Sequence, residues 1–174
     1  MHEKWFISDT HFFHDNTWKV FKDLDGSPLR PFTSTHEMNE QMVLNWNSVV
    51  APHDYVYHLG DVTFRYDGEM HNLMHQLNGR KRLILGNHDK IKGNKLIDFF
   101  EKVELWKGFK DGNFTCSHIP LMLESLRDGA FNVHGHVHNN SLKDPHYLNM
   151  SVEVNDYTPV HYDTIVERIK QVKS

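Results

Sequence analysis

Five short apolar runs in this chain each end directly in side chains that ligate metals. Trp5-Phe6-Ile7-Ser8 leads into Asp9-Thr10-His11, and Tyr55 to Leu59 into Gly60-Asp61. Arg82-Leu83-Ile84-Leu85 leads into Gly86-Asn87-His88-Asp89, Phe114 to Ser117 into His118, and Phe131-Asn132-Val133 into His134-Gly135-His136-Val137-His138. A strand interior is buried while the loop after it is free to carry polar groups, so such runs place their ligands at one crevice when their C-terminal ends lie side by side. That arrangement points to an α/β fold.

The segments between the runs support it. Ser34-Thr35-His36-Glu37 reads as a capping box, followed by Met38, Met42, Trp46 and Val49 at helical spacing. Met70, Leu73, Met74 and Leu77 repeat the pattern, with Asn78-Gly79 as a stop, and Leu96, Ile97 and Phe100 suggest a shorter helix. Asp111-Gly112 between Phe109 and Phe114 predicts a hairpin. Leu148, Met150, Val152 and Val154 alternate as in a strand, and Thr164 to Glu167 reads as a second capping box opening a terminal helix through Ile169 and Val172. Trp5, Trp46 and Trp106 are expected in packing roles, and Cys116 is expected to be buried.

With 174 residues and no repeat or linker, the chain reads as one unit. A single cysteine excludes an intrachain disulfide framework, no apolar run approaches the roughly 20 residues needed to cross a bilayer, and the first residues lack a signal-peptide core. A cytoplasmic location without membrane contact is therefore expected. The net charge of −4 argues against non-specific gripping of long nucleic acid and favours a small ligand.

Asp9 and His11 are two residues apart, as are His136 and His138, so an extended segment aims each pair to one side. Together with Asp61, Asn87 and His118 they make seven oxygen and nitrogen ligands without sulfur, too many for one tetrahedral ion and enough for two if a carboxylate bridges. Such a set suits borderline divalent transition metals, with manganese, iron, zinc, cobalt and nickel as candidates.

These blocks, all five in order between residues 9 and 138, resemble the signature of the calcineurin-like metallophosphoesterase superfamily in its compact bacterial and phage form. The resemblance implies one domain over residues 1–174, with two mixed β-sheets packed as a sandwich and flanked by helices. It assigns Asp9, His11 and His138 to one metal, Asn87, His118 and His136 to the other, and Asp61 to a bridge. His88 would donate a proton to the leaving group, oriented by Asp89. Two ions about 3.5 to 4 Å apart can share a hydroxide whose pKa falls from about 15.7 toward neutrality, while clamping the phosphoryl oxygens. Their local charge outweighs the acidic net charge of the protein.

The implied activity is hydrolysis of a phosphodiester: a small or cyclic nucleotide, or a nucleic-acid end. A phosphomonoesterase acting on a nucleotide or phosphoprotein is the alternative within the same chemistry. A non-catalytic scaffold is the alternative outside it, since the superfamily includes a retromer scaffold subunit. A third reading, a metal buffer built on the remaining histidines, would bind many more than two ions. Substrate contacts are sought at Asn87, His14, Arg30, Arg65 and His134, against surface positions or contacts behind the metal ligands for the two histidines and salt bridging for the two arginines. His14 fits a frequent family variant, whereas Phe13 stands where glycine is common. Lys90, Lys92 and Lys95 read as a solvated loop, and His71 and His75 as surface histidines. The sequence leaves a homo-oligomer open.

Overall fold

The computed structural model describes residues 2–23, 25–90 and 96–173. Lys92 and Lys95 lie outside them. The first strand, β1 (Lys4–Ile7), is followed by a short helix α1 (Asn16–Lys19) and by α2 (Thr35–Val49). Then come β2 (Tyr55–His58), α3 (Gly68–Gln76) and β3 (Arg80–Ile84). A 3-10 turn over Leu96–Phe99 leads into β4 (Lys102–Glu104) and β5 (Trp106–Phe109). The chain closes with β6 (Phe114–Ser117), β7 (Phe131–His134), β8 (Tyr147–Asn149), β9 (Val160–His161) and α4 (Tyr162–Lys173).

The strands form a five-stranded sheet in the order β4-β3-β2-β1-β9 and a four-stranded sheet in the order β5-β6-β7-β8. Strands β1 to β4 run parallel, with Phe6 opposite Tyr57 and Tyr57 opposite Arg82, and β6, β7 and β8 are also parallel. Antiparallel β9 and β5 sit at the margins, so both sheets are mixed. Because the ligand-bearing strands of each sheet are parallel, their C-terminal ends coincide.

Adjacent residues of the five-stranded sheet face different cores. Ile7, Val56 and Leu83 pack with Met38, Met42 and Trp46 of α2 and Leu73 of α3. Their neighbours Phe6, Tyr57 and Ile84 pack with Phe114, Phe131 and Val133 of the second sheet and with Ile165 and Ile169 of α4. The result is a two-sheet sandwich flanked by helices, with β1 to β3 buried on both faces. Phe6 stacks on Tyr57 at 5.3 Å and meets Phe109 and Phe114 edge-on, contacts worth about 0.5 to 1.5 kcal/mol each beyond area burial.

Most local signals match the elements. Ser34 Oγ accepts the Glu37 N–H at 3.1 Å, although Glu37 returns its carboxylate to the Thr33 N–H rather than to Ser34. Helix α3 stops at Gln76 before Gly79 at φ +88°, and β5 pairs with β6 across the Asp111-Gly112 turn. Cys116 is buried.

Three expectations need correction. The strand expected over Leu148 to Val154 ends at Asn149 and gives way to a 3-10 turn over Val152–Val154, because the chain leaves the sheet to pair Ser151 with Ser8. Helix α4 begins at Tyr162, so Thr164 lies inside its first turn and is not a cap. Trp106 is no core residue: it sits on the marginal strand β5 and is 63% exposed. Among the described residues no helix is long and apolar enough to cross a membrane.

Candidate metal centre

The loops after β1, β2, β3, β6 and β7 meet at one edge of the sandwich. Close approach there depends on glycine: a Cβ on Gly86 would collide with the Asp61 side chain, and one on Gly135 with Ser8 and Asp9. The backbone at the ligands is itself unusual. Asp9, His11, Asp61, His136 and His138 all have φ between +45° and +73°, a region that costs a non-glycine residue free energy unless its surroundings enforce it. Phe13 shares that conformation at φ +64°, so this loop keeps the shape that glycine would take easily. The Phe13 N–H is held by Asn39 Oδ1 at 3.2 Å.

The side chains converge. His11 Nε2 lies 3.7 Å from Asp9 Oδ1 and 3.7 Å from Asp61 Oδ2, and His118 Nε2 lies 3.5 Å from the same Asp61 oxygen. Asp61 Oδ2 therefore stands between the two imidazoles. His11 and His138 face each other with centroids 5.1 Å apart. Asn87 Oδ1 is 2.8 Å from His118 Nε2 and 2.9 Å from His136 Nδ1. Asp9, His11 and His138 form one cluster able to hold an ion, and Asp9, Asp61 and His118 another.

Whether these residues fit a metal is testable on unsatisfied atoms. Asp9 Oδ1 and His11 Nε2 are buried without a hydrogen-bond partner, which is costly unless something else meets them. Atoms about 2.1 Å from a shared ion stand somewhat over 3 Å apart, near the observed 3.7 Å. A divalent ion between them satisfies both, so the residues fit the group.

Surrounding groups fix the ligands in place. Asp9 Oδ2 accepts the His136 N–H at 2.9 Å and the Ser151 hydroxyl at 3.0 Å, leaving Oδ1 free. His118 Nδ1 is 2.8 Å from Leu59 O and His138 Nδ1 is 3.0 Å from Glu153 Oε1, so each ring can turn its other nitrogen to a metal. Burial would raise the Asp9 carboxyl, but the His11 imidazole beside it and the nearby His118 and His138 overcome it and hold the group well below the usual carboxylate range. Burial lowers His11, whereas His118 is raised because Asp61 and Asp9 outweigh its burial.

His88 is not part of either candidate metal cluster. Its backbone N–H donates to Asp61 Oδ1 at 2.8 Å, while its exposed ring lies beside the cluster, 5.9 Å from the His11 ring. The orienting role expected for Asp89 is not seen. Its buried carboxylate accepts the N–H groups of Asp61, Val62 and Gly86, all within 2.9 Å, and so ties the bridging loop to the end of β3. Burial, against these bonds, raises its pKa.

Two proposed substrate contacts are engaged elsewhere. Arg30 is fully buried, donating to Asp9 O at 2.6 Å, Thr10 O at 2.7 Å and Glu153 Oε1 at 2.7 Å. It clamps the first ligand loop from beneath and cannot meet a phosphate. Arg65 pairs with Asp67 at 3.4 Å and with Glu69, the salt-bridged role weighed from its sequence position. His134 is buried in β7 with its Nδ1 2.9 Å from Gly135 O, so it does not face a ligand. His14 lies near the cluster, its ring 5.8 Å from that of His11, and its pKa is pushed down to about 4 by burial and by His11. His71 and His75 are exposed, and Lys90 is exposed beside Tyr66.

Sequence reasoning missed Glu153, Ser151 and His58. The buried His58 donates Nε2–H to Thr10 Oγ1 at 2.9 Å and accepts the Gly60 N–H, cross-linking the first two ligand loops. Only its position three residues before Asp61 hinted at this.

Residues 4–171 match the family model described as calcineurin-like phosphoesterase. An uncharacterized protein of Methanocaldococcus jannaschii is 36% identical over 182 residues, spanning 99% of this chain and 94% of that one. The gene 66 protein of Mycobacterium phage L5 is 35% identical over 92 residues, 51% of this chain and 41% of the phage protein. A protein of unknown function from Aquifex aeolicus has a similar solved structure, with TM-score 0.72, 28% identity, and coverage of 96% of this chain and 99% of that one.

Proposed function

Since the chain belongs to the calcineurin-like phosphoesterase family, we propose that it hydrolyses phosphodiesters at a two-metal centre. The observation that carries this reading is the convergence of Asp9, His11, Asp61, His118 and His138 around unsatisfied buried atoms. Asp9, His11 and His138 would hold one ion, Asn87, His118 and His136 the second, with Asp61 shared. Divalent ions bound there would supply Lewis acidity toward the phosphoryl oxygens and acidify water near neutral pH. His88, exposed beside the cluster and anchored through its N–H to Asp61, would give its proton to the leaving-group oxygen.

The preference for a diester over a monoester rests on charge. A monoester dianion calls for more cationic support than a diester monoanion. Among the described residues, the two arginines weighed as phosphate contacts are both engaged: Arg30 is buried in an ion pair with Glu153, and Arg65 is held by Asp67 and Glu69. A small or cyclic nucleotide, or a nucleic-acid end, fits these requirements, and manganese is the first metal to try. The test is hydrolysis of bis(p-nitrophenyl) phosphate, p-nitrophenyl phosphate and 2′,3′-cyclic AMP by protein loaded with manganese, iron, zinc, cobalt or nickel. Faster diester hydrolysis, abolished by a chelator, is expected. Metal-loaded protein that cleaves none of them overturns the reading.

A further inference from the structure

An exposed aromatic wall begins at the metal ligands and runs outward. Phe64 is apolar yet 39% exposed, and its backbone is pinned to the first ligand loop by its N–H donating to Phe12 O at 2.9 Å. Its ring lies 5.3 Å from that of the ligand His11 and 5.1 Å from that of His88. The His14 ring packs against it edge-on, with centroids 3.8 Å apart. Phe21, 42% exposed, also lies beside His14, with ring centroids 5.6 Å apart. Arg65, next in sequence, is drawn back by Asp67 and Glu69 and lies over Phe13, so in this turn Phe64 is the residue left to meet a ligand.

We propose that Phe64, supported by His14 and Phe21, is a stacking surface that receives the base of a nucleotide whose phosphate lies at the metal centre. This deepens the phosphodiesterase reading and rests on it. Phe64 adjoins both the candidate ligand His11 and the proposed proton donor His88, so a planar group stacked on its exposed part is one joined to the reacting phosphate by a short linker such as a ribose. Stacking a base on an aromatic ring is worth about 1 to 3 kcal/mol and tolerates any base, because every base has a π-face. The wall therefore selects nucleotides over aliphatic phosphate esters while discriminating little between bases.

The test isolates the base. Binding of adenosine 5′-monophosphate and of ribose 5-phosphate to the metal-loaded protein is measured by calorimetry, for the native chain and for Phe64→Leu and Phe64→Trp, with metal content determined for each. Native protein should bind the nucleotide about 5- to 150-fold more tightly than the sugar phosphate, the range equivalent to one stacked base. Phe64→Leu should bring the two ligands within about 2-fold by removing that stack, and Phe64→Trp should keep the preference. Equal binding by the native protein, or a preference that survives Phe64→Leu, overturns the proposal. So does an equal weakening of both ligands in Phe64→Leu, which would make Phe64 a packing support for His11. Hydrolysis of bis(p-nitrophenyl) phosphate by the native protein is followed in parallel. An active enzyme without a base preference defeats the stacking surface alone, whereas an inactive one defeats the phosphodiesterase reading.

Discussion

At one end of the metal centre Asp9 is fully buried, bonded to Ser151 and to the His136 N–H, and His138 leans on the buried Glu153–Arg30 pair. At the other end Asn87 is exposed, and His136 is half-buried with its ring against Asn87 and His118. His118, fixed through Leu59 O, joins the ends by way of Asp61. The first end is pre-organised by groups that never touch the metal, and the second is shaped mainly by its own ligands. On the proposed two-metal reading, a tight first site and a more adaptable second one are expected, since outer contacts of this kind set ligand orientation and affinity.

Asp61→Asn attacks what both ends share and should have the largest effect. Metal analysis should show both occupancies reduced, and diester hydrolysis should fall by more than the roughly 100-fold that outer-shell changes cost. His88→Ala should spare both ends while lowering kcat by about 10² to 10⁴. If that variant loses its metals, His88 is a ligand and the division into two ends is wrong.

Glu153→Ala tests the asymmetry itself. It leaves the Arg30 charge buried without its carboxylate, so denaturant unfolding in the presence of chelator should show a loss of about 3 to 5 kcal/mol. A metal titration should show affinity about 10- to 100-fold weaker for one ion and nearly unchanged for the other. Equal weakening of both would erase the distinction.

The smallest effect is in pH. Burial holds His58 near 3 against an ordinary value of 6.5. Below pH 6.5 the unfolded chain takes up a proton that the folded chain refuses, so stability falls as pH drops toward 3 and is level above 6.5 as far as this group is concerned. The slope from this one residue is at most about 1.4 kcal/mol per pH unit, and Asn in place of His58 should remove it in metal-free unfolding curves.

The strands, the major helices and the convergence of the candidate ligands were legible because each depends on local pattern: a run of apolar residues, a helical stripe, a polar side chain at a strand end. What was not legible depends on partners far along the chain. Arg30 looked like a phosphate contact because nothing near it in sequence shows that Glu153 will bury it. Asp89 looked like a partner for its neighbour His88, yet its carboxylate serves the backbone of Asp61 and Val62. Alternation from Leu148 to Val154 suggested a strand, but Val152 is buried within a 3-10 turn that delivers Ser151 and Glu153 to the site. Left-handed backbone at Asp9, His11, Asp61, His136 and His138 has no sequence signal either, since it is imposed by the packed loops.

The bonds that support Asp9 also bear on the order of events during synthesis. Its carboxylate is met by His136 and Ser151, 127 and 142 residues downstream, and the arginine under its loop awaits a glutamate 123 residues beyond it. A chain emerging from the ribosome presents the Asp9 loop early, yet that loop stays unbraced until Ser151 and Glu153 have been translated. Contacts of such long range fold slowly, so a nascent chain stalled before residue 151 should contain every ligand and still lack a finished site.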